Sequence, residues 1–166
     1  CFDDYVGESD ARLSEVRAAY ESAYLANPAV ETKLYPGIAV ALERLSGMGR
    51  LAVVTNKPEK ISRRLLEVLG VDSFFRAVVG GDTCPRSKPD PMVLSEAARQ
   101  CGLEPGKGYT VMIGDTAADI KMGRAFGAST IWCAWGYVDD PGETPDLKAE
   151  RPVLLPELVE AVLRKG

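Results

Sequence analysis

The sequence predicts an α/β fold in which a parallel sheet is wound with helices. Short apolar runs with the β-branched composition of buried strands alternate with stretches whose apolar residues recur at helical spacing. Gly and Pro stand at most of the boundaries between them. Such alternation requires crossover connections, which make the strands parallel. A chain of 166 residues that is 46% hydrophobic is about one domain long.

The first elements are two helices and a strand. Residues 11–26 place apolar side chains on one helical face, and a second helix runs from Ile38 to Gly47. Residues 51–55 form a continuous apolar run, LAVVT, so we expect a strand that is buried on both faces.

The same pattern then recurs twice. Pro58 fits the first turn of a helix that stops at Gly70. Residues 76–79 form the next strand, and Asp90 caps a helix that ends before Gly102. The apolar face of the helix after Pro58 is predicted to comprise Ile61, Leu65, Val68 and Leu69.

The last third completes the alternation. We expect a strand at 109–113, a helix from about 116 to 126 and a strand at 130–133. Residues 136–150 are polar and rich in Gly and Pro, which predicts a loop, and a short helix closes the chain. The predicted class is therefore a Rossmann-like parallel sheet.

Three predicted strand ends carry polar side chains. Asp115 lies where the strand 109–113 stops, and Asp119 follows one helical turn later. Thr55 and Asn56 end an earlier strand, and Lys88 precedes the Asp90 helix. Because ligands bind at the carboxyl edge of a parallel sheet, these groups are candidates for one site.

The two carboxylates suit a hard cation such as Mg²⁺, which prefers oxygen ligands. Each residue also has a purely structural interpretation. Acids favour a helix N-terminus, Thr55 fits a strand or a helix cap, and Lys88 fits a solvated surface. With no His in the chain, His-based zinc sites and catalysis by Ser–His or Cys–His pairs are excluded.

The amino-acid composition limits the classes of binding partner and the cellular compartment that we expect. A net charge of −4 with interspersed signs does not favour nucleic acid or an anionic membrane. The cysteines lack CxxC spacing, which is typical of thiols in a reducing cytosol, so we expect a cytoplasmic protein. Cys1 also permits a processed lipoprotein. The four cysteines are Cys1, Cys84, Cys101 and Cys133.

Three short segments resemble motifs of a known superfamily. VTNKP at 54–58, KPDP at 88–91 and GDTAAD at 114–119 are similar to the second, third and fourth motifs of the haloacid dehalogenase superfamily, in that order. The likeness extends to the branch that contains the phosphoglycolate phosphatases. The segments that fit this branch are LYPGI at 34–38, GGD at 80–82 and WGY at 135–137.

The resemblance implies a role for each candidate. Thr55 and the Asn56 amide would hold phosphate, and Lys88 would stabilise its charge. Asp115 would bind Mg²⁺ and Asp119 would complete the metal site as its supporting acid. The implied activity is Mg²⁺-dependent hydrolysis of a small phosphorylated metabolite through an aspartyl-phosphate intermediate. Residues 1–33 would be the C-terminal remnant of a helical cap, and residues 34–166 an incomplete phosphatase core.

The superfamily's first motif, a strand ending in DxDGT, is not in this sequence. Asp3 and Asp4 follow no apolar strand, so we assign them no catalytic role. The implied strand lies between the strands 51–55 and 109–113. Its loss removes about five buried apolar residues, or roughly 8 to 15 kcal/mol, which is as large as a typical domain's net stability. We therefore expect the natural protein to extend upstream, with the nucleophile there and this chain inactive alone.

Other functions remain open on the sequence alone. A sister phosphatase or a sugar-phosphate mutase of the same fold would show the same motifs. A non-catalytic module that binds phosphate would show them as well. A response-regulator receiver also uses Asp, Thr and Lys, but its acids precede the other two, whereas here the order is Thr55, Lys88, Asp115. The oligomeric state is not predicted.

Overall fold

The computed structural model describes residues 32–164, so the expected helix at 11–26 and most of the expected cap segment lie outside the described residues. The strands are β1 (Leu51–Val54), β2 (Phe75–Val79), β3 (Val111–Gly114), β4 (Ser129–Cys133) and β5 (Leu147–Ala149). The α-helices are α1 (Ile38–Ser46), α2 (Glu59–Val68), α3 (Met92–Gln100), α4 (Ala117–Phe126) and α5 (Leu155–Leu163). Short 3₁₀ turns at Asp72–Phe74 and Pro152–Leu154 precede β2 and α5.

The strands pair in parallel, which confirms the α/β class. They form a two-stranded sheet, β1–β2, and a three-stranded sheet, β3–β4–β5. At the carboxyl edge Val54 stands opposite Val79, and Gly114 opposite Trp132. The loops that follow these strand ends carry the predicted site residues.

A gap separates the two sheets. Every residue of β1 and β3 lines a cavity of about 560 Å³ between them. The gap lies where the resemblance to the superfamily implies that a central strand is missing. The expectation that residues 51–55 are buried on both faces is wrong, because all four residues of β1 are only half-buried beside the cavity.

Two apolar clusters pack the helices against the sheets. In the first, α3 packs against β1, β2 and α4. Its buried members are Val79, Val93, Leu94, Ala97, Met112, Met122 and Ala128. The second cluster places α1 and α5 against β4 and β5. Its buried members are Leu45, Ile131, Cys133, Ala149, Leu155 and Val159.

Two further details differ from the sequence prediction. The loop 136–150 contains β5, which is too short for a periodicity argument and is recognisable only by its pairing with β4. In α2, Val68 is 46% exposed whereas Ser62 is buried. The Ser62 hydroxyl donates to the carbonyl of Pro58 at 3.0 Å, which satisfies this polar group inside the protein.

Between residues 32 and 164, no helix has both the length and the apolar character that crossing a bilayer requires.

The gap leads to a stability prediction for the 166-residue polypeptide alone. Among the described residues, β1 and β3 each have no strand partner on the edge that faces the gap. We therefore expect no cooperative thermal transition from a monodisperse monomer. Circular dichroism melts combined with light scattering measure this directly. A cooperative melt of a monomer would show that the two sheets are stable without a strand between them.

Candidate active site

The segment Gly114–Asp119 joins β3 to α4 and forms the centre of the site. Thr116 is the N-cap of α4, and a capping box joins it to Asp119. A Cβ atom at Gly114 would lie 2.4 Å from the Cβ of Asp119. Glycine is therefore required at 114 for the first turn of α4 to close over the strand end.

Asp119 is 2% exposed and has a hydrogen-bond donor at each oxygen. Its Oδ2 accepts from the backbone N–H of Asp115 (3.2 Å) and of Thr116 (3.1 Å), and from the Thr116 hydroxyl (2.8 Å). Its Oδ1 accepts from Nζ of Lys88 at 2.7 Å. In this arrangement Asp119 holds the Asp115 turn and Lys88, and its role as a metal ligand stays a prediction.

Asp115 is oriented by the loop after β4. Its Oδ2 accepts from the backbone N–H of Tyr137 at 2.9 Å, and the Trp132 indole donates to its carbonyl at 3.3 Å. A Cβ atom at Gly136 would lie 2.2 Å from the Cβ of Asp115, so this loop contacts the carboxylate directly. Within the described chain no hydrogen-bond donor contacts Oδ1 of Asp115, which leaves this oxygen for a ligand.

Lys88 connects the two halves of the molecule. Its side chain is 15% exposed and pairs with Asp119 across the end of the gap. Its backbone N–H donates to Oδ1 of Asn56 at 3.2 Å. The loop after β2 is thus tied both to the turn after β1 and to the segment after β3.

Thr55 and Asn56 begin the turn after β1. The Thr55 N–H donates to the carbonyl of Val79 at 3.0 Å, and its Oγ1 accepts from the N–H of Lys57 at 3.1 Å. The hydroxyl proton of Thr55 is then available to an acceptor. Lys88, Asp115 and Asp119 line the cavity together, and the Asn56–Lys88 hydrogen bond links the turn to them.

The site lacks a complete metal-binding cluster. Over the range 32–164, no group of three or more Asp, Glu, His or Cys side chains could hold a metal ion. Asp115 offers a carboxylate of the type that Mg²⁺ prefers.

The cysteines that the structure describes are free, as expected, and Cys1 lies outside the described residues. Cys133 lines the same cavity. Burial, together with the charges of Asp115 and Asp119, raises the pKa of its thiol to about 12. The thiol is therefore protonated at neutral pH, which disfavours nucleophilic attack by its sulfur.

Asp119 is predicted as a site residue, but the sequence does not show that other residues orient Asp115. The T-x-x-D spacing of Thr116 and Asp119 is a capping-box signal that predicts their contact. Gly136 and Tyr137 appear in the sequence analysis only as part of the WGY likeness to one branch, with no role towards Asp115. Trp132 carries no local signal, because its contact depends on the pairing of β4 with β3.

The sequence matches the family model described as haloacid dehalogenase-like hydrolase over residues 4–133. This range includes the turn after β1, Lys88 and the Gly114–Asp119 segment. The chain belongs to the haloacid dehalogenase-like hydrolase family.

The sequence is also similar to individual proteins described as phosphoglycolate phosphatases. The chain is 39% identical over 152 residues to a phosphoglycolate phosphatase of Aquifex aeolicus, covering 91% of this chain and 70% of the relative. It is 32% identical over 161 residues to the Pseudomonas putida phosphoglycolate phosphatase, covering 96% of this chain and 57% of that protein. The chain thus spans roughly half to two thirds of the length of several of these relatives.

A solved structure shares the fold. It is described as that of a predicted phosphoglycolate phosphatase from Haemophilus somnus and superposes with a TM-score of 0.76 at 28% identity. The match covers 86% of this chain and 64% of that one. The haloacid dehalogenase-like fold is therefore retained, although no strand lies between β1 and β3 in the described range 32–164.

Gly136→Ala tests the close approach of the loop to Asp115. The added methyl group cannot be accommodated without displacing the carboxylate, so we expect a loss of about 1 to 3 kcal/mol in the free energy of unfolding. Urea denaturation of the longest natural polypeptide that contains this chain measures it. Gly49→Ala is the matched control, because a Cβ there meets nothing within 4 Å. Equal stability of the two variants would contradict the described contact.

Proposed function

We propose that the protein containing this chain is a phosphomonoester hydrolase that acts on small phosphorylated metabolites, with phosphoglycolate as its substrate. The observation that carries the proposal is the placement of Lys88 and Asp115 together at the carboxyl end of the gap. Membership of a hydrolase family and the phosphoglycolate phosphatase relatives support it.

Three residues would bind the phosphate group. The Thr55 hydroxyl and the Asn56 backbone N–H supply neutral donors, and Lys88 supplies a positive charge that favours an anion. Asp119 holds the Lys88 ammonium group at the end of the gap. Removing Asp119 would therefore affect phosphate binding through the position of Lys88.

A Mg²⁺ ion fits the carboxylate chemistry of Asp115. Asp115 would be one ligand, and Asp119 would support it by holding the backbone of the turn. When bound, the ion neutralises negative charge on the transferring phosphoryl group. Tyr137 and Gly136 fix the orientation of the Asp115 carboxylate that would bind this ion.

The nucleophile would be an Asp outside these 166 residues, at the carboxyl end of a strand that fills the gap between β1 and β3. Its carboxylate oxygen forms a bond to phosphorus while the ester P–O bond breaks, and the leaving alkoxide takes a proton from water to become the alcohol. Water then attacks the aspartyl phosphate, which regenerates the carboxylate and releases phosphate. Residues 34–166 would form the core for this chemistry, and residues 1–33 the end of a cap, in a cytoplasmic protein.

An activity assay tests the proposal. We expect the longest natural polypeptide that contains this chain to release phosphate from phosphoglycolate in the presence of Mg²⁺. Hexose phosphates and pyrophosphate serve as comparison substrates, since a sister phosphatase or a mutase would prefer one of these. Binding of inorganic phosphate without turnover of any phosphomonoester would instead favour a non-catalytic module.

Asp115→Asn in the same polypeptide tests the metal site. Replacing the charged carboxylate should weaken both the Mg²⁺ dependence and the turnover. We expect losses larger than the roughly 10- to 100-fold that removal of a supporting partner costs. Mg²⁺ titrations of phosphate release measure both effects, with Asp140→Asn as an exposed control. An unchanged Mg²⁺ titration would show that Asp115 is not a ligand of the metal ion.

A further inference from the structure

The turn after β1 is held by the segment after β2. We call residues 55–58 the Thr55 turn and residues 80–83 the bracing turn. The N–H of Gly81 donates to the carbonyl of Lys57 at 3.0 Å. This bond continues the pairing of β1 with β2 beyond the ends of both strands, so the two turns lie against each other.

The contact is between backbones, which is why the bracing turn begins with two glycines. A Cβ atom at Gly81 would lie 2.4 Å from the carbonyl oxygen of Asn56. A Cβ atom at Gly80 would lie 2.2 Å from the backbone nitrogen of Glu59. Any side chain at these positions would push the Thr55 turn away from β2.

Asp82 and Thr83 fasten the start of α2. Pro58, the N-cap of α2, provides no side-chain acceptor, and Oδ1 of Asp82 accepts from the N–H of Glu59 at 2.8 Å instead. The Thr83 hydroxyl accepts from the N–H of Gly80 at 2.8 Å and donates to the Glu59 carboxylate at 2.8 Å. The helix end is thus capped from the neighbouring loop.

This cap also disfavours anion binding at the N-terminus of α2. The Glu59 N–H is already bonded to a carboxylate, and the negative charge of Asp82 repels a second anion at the N-terminus of α2. The Thr55 hydroxyl and the Asn56 N–H carry no such competitor in the part of the chain that is described.

We infer that the bracing turn is a positioning element for phosphate binding. Asp82 and Thr83 fix the Thr55 turn relative to Lys88, and they keep phosphate off the N-terminus of α2. This inference rests on the proposed function, because it assigns the brace to the same phosphate site. Neither residue lines the cavity.

Thr83→Val and Thr83→Ser in the longest natural polypeptide test the inference. Valine has the shape of threonine without the hydroxyl, whereas serine keeps it. We expect the valine variant to speed amide hydrogen exchange at Lys57–Ile61 and to raise both the Kd for inorganic phosphate and the KM by about two- to tenfold. The kcat should change less, and serine should restore both binding and protection. Thr144→Val is the control, since the Thr144 side chain is exposed.

Two readouts separate this inference from the proposed function. Unchanged exchange and unchanged phosphate affinity in Thr83→Val would overturn the positioning role even if the enzyme hydrolyses phosphomonoesters. Thr83→Val could instead show faster amide exchange and weaker phosphate binding while the parent protein hydrolyses no phosphomonoester. That result would support the positioning role and contradict the proposed phosphatase function. Asp82→Ala, at an exposed position, provides the same test if Thr83→Val folds poorly.

Discussion

The ion pair between Lys88 and Asp119 is the contact on which the geometry of the site depends. It spans 2.7 Å between side chains that are 15% and 3% exposed, and it joins the loop after β2 to the segment after β3. Removing one partner of a buried ion pair lowers the free energy of unfolding by about 3 to 5 kcal/mol, because the remaining charge is then buried without an opposite charge. Through Asn56 and Thr116 the pair is bonded to the turns on either side of the gap, so one interaction fixes the positions of several candidate ligands.

The gap surrounds the charged residues of the site with apolar walls. Its walls are the apolar strands β1 and β3, and its carboxyl end carries Lys88 and Asp115. Charges at the end of an apolar cavity interact more strongly than charges in water, because fewer solvent dipoles screen them. A strand that filled the gap would exclude water and present its last side chain to both residues.

The sequence predicted the architecture well where patterns are local. The run VMIGD and the helix after it were located correctly, since strand burial and helix capping depend on adjacent residues. The burial of β1 was predicted wrongly, because it depends on a neighbouring strand that residues 32–164 do not provide. The Asp119–Lys88 pairing and the Asp82 cap of α2 connect residues 31 and 23 positions apart. No periodicity or local motif encodes such contacts.

A crystal structure of the longest natural polypeptide that contains this chain tests the central claim most directly. We expect a parallel strand between β1 and β3 whose carboxyl end places an aspartate beside Lys88 and Asp115. A structure in which β1 pairs directly with β3, or in which the gap is filled by an element without an acidic residue at that end, would contradict it.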